Sequence, residues 1–356
     1  MPLTPGDLAP SFRAPTPTNP RYVFNSAAGR YIALAFLPAR EDKACHAALS
    51  LIRARRALFD DVTRAFFGVI TDPDVAPGAV DEIPGIRWFL DVEREVTTLF
   101  EITEPSWIVL DPSMRVILTA PLDKTEVVLE HLSRLAPIDL HAGVPLHAPV
   151  LIAPRIFEPA FCKRLLDYYD AQGGTPSGFM REVDGRTVLA RDESHKRRSD
   201  ATIEDEALMA ACRARISRRL SPLITQAFQF VPTRIERYIV ACYDADSGGW
   251  FRPHRDNTTK GTAHRKFAVS INLNAEEFEG GDLRFPEFGS RTYRPPTGGA
   301  VVFSCSLLHE ATPVTSGRRF AFLPFLYDED GAKIREANNA YLDPALSQYT
   351  AAPAQA

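Results

Sequence analysis

The chain has 356 residues, of which 45% are hydrophobic and 24% charged, and its formal net charge is −4. This length predicts two domains, and the composition is typical of a globular protein. No apolar run could span a membrane, the first residues have no signal-peptide pattern, and there is no broad basic excess. We therefore expect no membrane partner and no nucleic-acid partner.

The first 135 residues alternate strand-like and helix-like segments. Buried strands are predicted at 30–37, 66–72 and 106–111. Helical spacing of apolar residues occurs in CHAALSLIRARRALFDDV, WFLDVEREVTTLF and KTEVVLEHLSRL. This alternation predicts an α/β domain with a central sheet over residues 1–135.

The rest of the chain changes character after a segment rich in proline. Residues 136–149 are predicted to be a linker, and a helical stretch is predicted at 203–228. Short strands separated by Gly, Pro and Asn then follow one another, so residues 150–342 are predicted to form a helix-supported sandwich or barrel. The segment 175–200 is either a substrate lid or a mobile surface loop, and His195 within it is expected to be exposed. Residues 343–356 are predicted to be a disordered tail.

The strongest chemical signal is a pair of histidines with one carboxylate. His254 and Asp256 lie in FRPHRDN, and His309 follows the strand-like run AVVFSCSLL. Side chains at i and i+2 of a strand point the same way, so His254 and Asp256 can face one cavity. Two imidazoles and one carboxylate are the ligands of a non-haem Fe(II) facial triad, which leaves open coordination positions. A lone HxD triplet is weak, but the second histidine in a β context strengthens the prediction of a metal site.

Arg319 and Tyr243 are candidates for binding a dicarboxylate cosubstrate. Ser316-Gly317 suits a hairpin turn, which would place Arg319 roughly 16 Å along the ladder from His309. A planar guanidinium binds a carboxylate through two hydrogen bonds, and a phenol can add a third. The alternatives are a surface arginine beside Arg318 and an ordinary barrel aromatic at Tyr243.

At these residues the sequence resembles the prolyl 4-hydroxylase-like group of 2-oxoglutarate/Fe(II) oxygenases. The resemblance covers about residues 148–328 and rests on FRPHRDN, FAVSINLNAEEFEGGDLRFPEFG and LLHEATPVTSGRRFAF. It implies an α+β double-stranded β-helix (jelly-roll), with iron at His254, Asp256 and His309 and with 2-oxoglutarate at Arg319. Some members have a cosubstrate-binding tyrosine where this chain has Asn272, so Asn272 is included as a candidate.

The same resemblance implies a reaction and its cofactors. These enzymes use Fe(II), 2-oxoglutarate and O2, and ascorbate is a further candidate cofactor. The expected reaction hydroxylates an unactivated C–H bond and releases succinate and CO2. A prolyl or other peptidyl residue is the favoured substrate, whereas free amino acids and small natural products stay open, because one scaffold hosts many substrates.

The first domain resembles the thioredoxin-fold redoxins, nearest the peroxiredoxins. GDLAPSF, AFLPAREDKACHAAL and EPSWIVLD carry this likeness, and Cys45 at a helix start has the spacing of a peroxidatic cysteine. Pro105 resembles the family's cis-proline. Asp42 stands where the family has Thr or Ser, and Pro105 also falls where the family has its active-site arginine. Both departures disfavour a thiolate.

The alternatives for the whole protein are therefore a thiol peroxidase that uses Cys45 and a partner-binding protein with a degenerate redoxin domain. The second alternative gives the N-terminal domain a protein partner. The five cysteines are odd in number and widely spaced, with no CxxC, which predicts a reducing, cytoplasmic location.

Overall fold

The computed structural model describes residues 2–37, 43–72 and 81–351. The chain divides into two compact units, Met1–Ala148 with Phe285–Arg291, and Pro149–Arg284 with Thr292–Ala356. Most of the predicted linker therefore belongs to the first unit. Its Ile138–Leu140 segment is a 3-10 helix, and the Asp139 carboxylate accepts a hydrogen bond from the Ser290 hydroxyl at 2.8 Å.

The first unit is built on a five-stranded sheet. Its described strands are β1 (Arg13–Ala14), β2 (Tyr22–Val23), β3 (Tyr31–Leu37), β4 (Arg64–Ile70), β5 (Ile86–Leu90), β6 (Ser106–Leu110) and β7 (Val116–Pro121), and its helices are α1 (Lys43–Ala54), α2 (Glu95–Leu99) and α3 (Thr125–Arg134). The order is β5-β4-β3-β6-β7, with β3, β4 and β5 parallel and the other pairs antiparallel. This mixed sheet is the thioredoxin fold. All seven residues of β3 are buried, as expected for a central strand covered on both faces.

One predicted helix in this unit is wrong. Within WFLDVEREVTTLF, the apolar residues Trp88 and Phe89 lie in strand β5, which pairs with β4, and only Glu95–Leu99 is helical. Tertiary strand pairing has overridden the helical spacing of the apolar residues. The helix begins where the Asp91 carboxylate accepts the backbone N–H groups of Val96 and Thr97 at 2.9 and 2.8 Å.

The second unit consists of two large antiparallel sheets, a separate two-stranded hairpin, and helices. Its described strands are β8 (Leu151–Ala153), β9 (Thr175–Pro176), β10 (Phe179–Val183), β11 (Arg186–Ala190), β12 (Lys196–Arg197), β13 (Ser199–Thr202), β14 (Arg234–Glu236), β15 (Ile239–Asp244), β16 (Trp250–His254), β17 (Phe267–Asn272), β18 (Phe278–Gly280), β19 (Leu283–Arg284), β20 (Thr292–Tyr293), β21 (Ala300–Ser304), β22 (His309–Ala311), β23 (Val314–Phe322) and β24 (Phe325–Tyr327), and its helices are α4 (Pro159–Gln172), α5 (Glu206–Arg215), α6 (Ser221–Phe228) and α7 (Glu329–Ala337). The smaller sheet has the order β12-β16-β22-β19-β20. The larger sheet has the order β14-β24-β17-β23-β15-β13-β9, and β21 joins β17 to β8. This is the jelly-roll predicted from the sequence.

Strand alternation explains how the larger sheet serves two environments. Val240 and Cys242 of β15 are buried in one core cluster with Leu165 of α4 and Cys212 of α5. Successive side chains of a strand point to opposite faces, so the intervening residues, including Tyr243, face the other sheet. The helices α4, α5 and α6 thus cover one face and leave the interior of the jelly-roll to polar side chains.

The segment 175–200 is ordered instead of being a plain loop. It contains the hairpin β10–β11, whose turn residues Asp184 and Gly185 have φ values of 48° and 74°. This hairpin also holds the C-terminal segment, because the backbone N–H of Asp343 donates to the Thr187 carbonyl at 2.9 Å. The predicted disordered tail is therefore wrong for residues 343–351, and the last five residues lie outside the described part. No helix in the described part of the chain is long and apolar enough to cross a membrane.

Candidate metal and cosubstrate site

Strand pairing in the smaller sheet brings the two histidines together. His254 is the last residue of β16 and His309 the first of β22, and the two residues are partners in the antiparallel register. Asp256 follows two residues after His254, and its backbone N–H donates to the Cys305 carbonyl at 2.9 Å. The jelly-roll therefore joins residues that are more than fifty positions apart in sequence.

The three side chains have the geometry of a metal site. The His309 Nε2 lies 3.3 Å from Asp256 Oδ2, and the His254 Nε2 lies 3.6 Å from Asp256 Oδ1. One ligand atom from each residue lies within 4.8 Å of the other two, and in the described part of the chain this is the one such group of three or more residues. The Nδ1 atoms lie 2.7 Å from the Arg252 carbonyl and 3.0 Å from the Leu307 carbonyl, respectively. Since each carbonyl accepts a hydrogen bond from Nδ1–H, the proton stays on Nδ1 and each Nε2 keeps its lone pair for a metal.

The protonation states also suit a metal. Burial lowers the pKa of His254 to about 4, and the neighbouring His309 imidazole acts in the same direction. Burial raises the pKa of the Asp256 carboxyl, but interactions with His309 and His254 outweigh it and hold this pKa well below its usual range. The site therefore offers a neutral His254 imidazole and an ionised carboxylate, the forms that coordinate cations.

An arginine that was not predicted from the sequence supports the carboxylate ligand. Arg265 Nη1 donates to the Asp256 backbone carbonyl at 3.3 Å. Its Nε and Nη2 form a bidentate pair with Glu236 at 2.9 and 2.6 Å. Burial lowers the pKa of Arg265, but the Glu236 carboxylate outweighs it and raises this pKa above its usual value. No motif pointed to Arg265, because its contact with Asp256 is to the main chain and its carboxylate partner lies on β14.

Arg319 is buried inside the jelly-roll and is not a surface residue beside Arg318. It is 3% exposed, it pairs in register with Tyr243, and its guanidinium carbon lies 5.2 Å from the centre of the Tyr243 ring. Its Nη2 donates to the Ser270 hydroxyl at 2.9 Å. Among the described carboxylates none pairs with Arg319, so its charge is available to an acidic ligand.

The predicted route to Arg319 was wrong. Ser316 and Gly317 do not form a hairpin turn but lie within the single strand β23, where Gly317 pairs with Phe278 of β18. The chain leaves the smaller sheet after His309–Ala311 and enters the larger sheet at Val314. Arg319 therefore approaches the site from the sheet that faces the histidines, and the ladder distance of 16 Å does not apply.

Asn272 and Ser270 share one face of β17, because they are two residues apart. The Asn272 amide donates to the Pro295 carbonyl at 2.8 Å, whereas Ser270 is the residue that contacts Arg319. A role for Asn272 in cosubstrate binding stays a prediction. Ser270 was missed, although strand alternation from Asn272 could have found it.

The redoxin candidates have mixed outcomes. Cys45 lies in the first turn of α1, but its side chain is 1% exposed. The one cis peptide in the described residues is Ile83–Pro84, so the predicted cis bond at Pro105 is wrong. Asp42 lies outside the described residues. His195 is half-buried instead of exposed, with its ring 4.5 Å from that of Phe179.

Comparison with known proteins finds similarity in the second unit. Residues 238–327 match the model of the 2OG-Fe(II) oxygenase superfamily. A PKHD-type hydroxylase of Synechococcus sp. (strain JA-2-3B'a(2-13)) is 27% identical over 150 residues, which are 35% of this chain and 66% of the relative. The alignment therefore spans just under two thirds of that relative.

Two solved structures are similar to different parts of the chain. One is a Trichoplax adhaerens prolyl hydroxylase in complex with a peptide fragment of the hypoxia inducible factor oxygen degradation domain, with 19% identity and a TM-score of 0.39 over 58% of this chain and 92% of that chain. The other is the peroxidoxin BcpB of Mycobacterium tuberculosis, with 17% identity and a TM-score of 0.32 over 38% of this chain and 99% of that chain.

The superfamily implies Fe(II), 2-oxoglutarate and O2, and the residues present fit these groups. His254, Asp256 and His309 would supply the two nitrogens and one oxygen of a facial triad. Arg319 would supply a buried guanidinium for the carboxylate at the far end of a diacid. Iron and 2-oxoglutarate, when bound, would together supply a strong oxidant for C–H bonds.

Proposed function

We propose that the protein is an Fe(II)- and 2-oxoglutarate-dependent hydroxylase whose metal ligands are His254, Asp256 and His309. The single observation that carries the proposal is the convergence of the two Nε2 atoms and the Asp256 carboxylate within 4.8 Å, in a domain of the 2OG-Fe(II) oxygenase superfamily. Arg319, with Tyr243 and Ser270 beside it, binds the distal carboxylate of 2-oxoglutarate.

The protein side chains orient the reactants and shield them from water. The Phe251 ring stacks on the His254 imidazole at 3.5 Å, and the Phe303 ring lies 4.5 Å from that of His309. These rings fix the imidazole planes and make the surroundings of the metal apolar, which strengthens the electrostatic interactions within the site. Arg265 holds the main chain of Asp256 and is a positioning residue.

The substrate proposed is a peptidyl residue, with prolyl favoured by the resemblance of the sequence motifs to the prolyl 4-hydroxylase-like group. A free amino acid is the second candidate. A cytoplasmic location and a protein partner of the first unit stay predictions from the sequence. The thiol-peroxidase alternative is less favoured, because a side chain that is 1% exposed gives peroxide no access to the Cys45 sulfur.

Two measurements test this proposal. Calorimetric titration of the full-length protein with 2-oxoglutarate under anaerobic conditions should show binding that requires Fe(II) or Mn(II). Under air, succinate release should depend on Fe(II). Metal-loaded protein that binds no 2-oxoglutarate would refute the proposed function.

A further inference from the structure

The interior of the second unit holds more positive charge than its carboxylates balance. Five basic side chains lie there: Lys196, Arg198, Arg265 and Arg319 are buried, and Arg237 is half-buried. Arg198 is paired with Asp200 at 2.7 Å and Arg265 with Glu236 at 2.6 Å. No ion pair is found for the other three among the described residues. An unpaired charge with little access to water is costly, so each of these three residues needs an explanation.

Two of these three residues have an explanation. Arg319 is matched by the distal carboxylate of 2-oxoglutarate. The Lys196 amine donates to the Ser177 hydroxyl at 2.7 Å and also to the Gly178 carbonyl. Burial, followed by repulsion from Arg198, lowers the pKa of Lys196 to about 5, so at neutral pH this amine carries little charge. Arg237 is left.

Arg237 lies on the same face of the larger sheet as the cosubstrate residues. Ala268 and Ser270 share one face of β17, and Ser270 contacts Arg319. Phe325 is the direct antiparallel partner of Ala268, so its ring points to that face too. The Arg237 guanidinium carbon lies 4.2 Å from the centre of the Phe325 ring.

This position is at the metal-binding end of the jelly-roll. Arg265 lies over the same Phe325 ring at 4.1 Å and simultaneously contacts the Asp256 carbonyl. One ring thus carries two guanidinium groups with different partners. Arg265 has Glu236, whereas the hydrogen bond that Arg237 makes is from Nε to the Leu323 carbonyl at 3.0 Å.

The hydrogen bond through Nε leaves the two terminal nitrogens of Arg237 without a partner among the described residues. Burial lowers the pKa of Arg237 to about 10, and Arg198 and Arg265 add to this effect. The guanidinium is nevertheless fully charged at neutral pH. A planar fork with two unused donors is the group that binds a carboxylate most specifically.

Charge balance points to the substrate as the source of that carboxylate. Fe(II) with the Asp256 carboxylate carries one net positive charge, and Arg319 adds a second. These two charges balance dianionic 2-oxoglutarate and leave Arg237 uncompensated. We propose that Arg237 binds a carboxylate of the substrate and so selects substrates with an acidic group near the carbon that is hydroxylated. This inference rests on the proposed function.

Paired compounds that differ only in the carboxylate test the inference. Full-length protein loaded with Mn(II) and 2-oxoglutarate is titrated calorimetrically without O2. One set of probes contains the free amino acids and their carboxamides. The other contains acetylated tripeptide amides with Glu or Gln beside a central proline. We expect at least one set to show a preference for the carboxylate of about 10-fold or more, the value of a charged hydrogen bond.

Variants assign the preference to Arg237. In Arg237→Gln the preference for the carboxylate should fall to about 3-fold or less. The affinity for 2-oxoglutarate should change by less than about 3-fold, which shows that the variant is folded. Arg218→Gln, at an exposed helical arginine, should keep the wild-type preference. Arg237→Lys should keep part of it and serves if the Gln variant does not fold.

The outcomes separate the inference from the function on which it depends. Wild-type protein that binds 2-oxoglutarate but shows no carboxylate preference in either probe set overturns the inference alone. An undiminished preference in folded Arg237→Gln does the same. Absence of 2-oxoglutarate binding in the wild type overturns the proposed function itself.

Discussion

The interiors of the two units differ in their polar content. Among the described residues, the buried polar side chains of the first unit include Thr16, Asp91, Thr97 and Thr125, and the His141 ring is also enclosed. Those of the second unit include Lys196, Arg198, His264, Arg265, Ser270, Asn272, Asn274, His309 and Arg319. The buried carboxylate of the first unit caps a helix, since Asp91 accepts from the start of α2. The second unit instead buries several basic side chains, among them Arg198, Arg265 and Arg319.

This difference indicates where the chemistry takes place. A buried charge costs several kcal/mol unless it is paired, so a chain keeps it where it binds or positions something. The first unit contains aromatic packing of the kind expected in any core, such as the Phe67 and Phe89 rings stacked at 5.2 Å. Activity should therefore follow the charged interior of the second unit and should not need the apolar core of the first.

The largest expected effect comes from the metal ligands. Asp256→Ala and His254→Ala each remove a ligand atom and should lower Fe(II)-dependent succinate release by about 1,000-fold or more. Electron paramagnetic resonance of bound Mn(II) checks the loss of metal binding directly. The control is Asp167→Ala, at an exposed carboxylate paired with Lys163 on α4. A triad variant that keeps both metal binding and activity would contradict the assignment of the chemistry to the second unit.

The next effect concerns the cosubstrate. Arg319→Gln should raise the Kd of 2-oxoglutarate by about 10- to 100-fold, since a hydrogen bond to a charged group contributes roughly 1.5–3 kcal/mol. Ser270→Ala should have a smaller effect, because it removes only a neutral contact to Arg319. Arg318→Gln is the matched control on the exposed side of the same strand. Equal effects at positions 318 and 319 would contradict the assignment.

The sequence predicted much of this arrangement, for reasons that differ from residue to residue. His254 and Asp256 are separated by one residue, and their spacing reports their common orientation directly. His309 and Arg319 were predicted as site residues, but the course of the chain between them was not. Gly317 is typical of a turn, whereas in the structure it is part of β23. Whether a glycine ends a strand depends on the strand that pairs with it.

Arg237 and Arg265 could not be predicted, since only the folded sheets show which arginine has a carboxylate partner. Both are ordinary basic residues in the sequence. The difference between the two arginines depends on Glu236. This carboxylate forms an ion pair with Arg265, although Glu236 is the immediate chain neighbour of Arg237. In the first unit the same limit appears at Trp88, where strand pairing decided between helix and strand.

The effect of the buried Lys196 amine on the stability of the second unit can be measured. The pKa of Lys196 is about 5 in the folded chain, and its ordinary value is 10.5. At pH values between the two, the Lys196 amine is protonated in the unfolded chain but not in the folded chain. Stability should therefore rise with pH across this window. Lys196→Met removes the penalty and should stabilise the protein at pH 7 by about 1–3 kcal/mol, with a smaller gain at pH 10.

The groups that act on the Lys196 amine are Arg198, Asp200, Arg237 and Asp256, and none is altered by this substitution. Lys163→Met, at an exposed lysine, is the control and should change stability little at either pH. Scanning calorimetry at pH 7 and pH 10 measures both variants. A Lys196→Met protein that is less stable than wild type at pH 7 would mean that the buried amine stabilises the second unit.

The smallest effect is expected in the first unit. Cys45→Ala should change succinate release by less than about twofold, and peroxide consumption equally little, because the thiol is 1% exposed and sits in the apolar core with Ala48 and Ile52. Peroxide consumption is followed with and without a thiol reductant, and sulfenic acid at Cys45 by mass spectrometry. If Cys45→Ala lost most of the peroxide consumption while keeping succinate release, the two units would carry separate redox activities. In that case an apolar interior would have been a poor guide to the absence of chemistry.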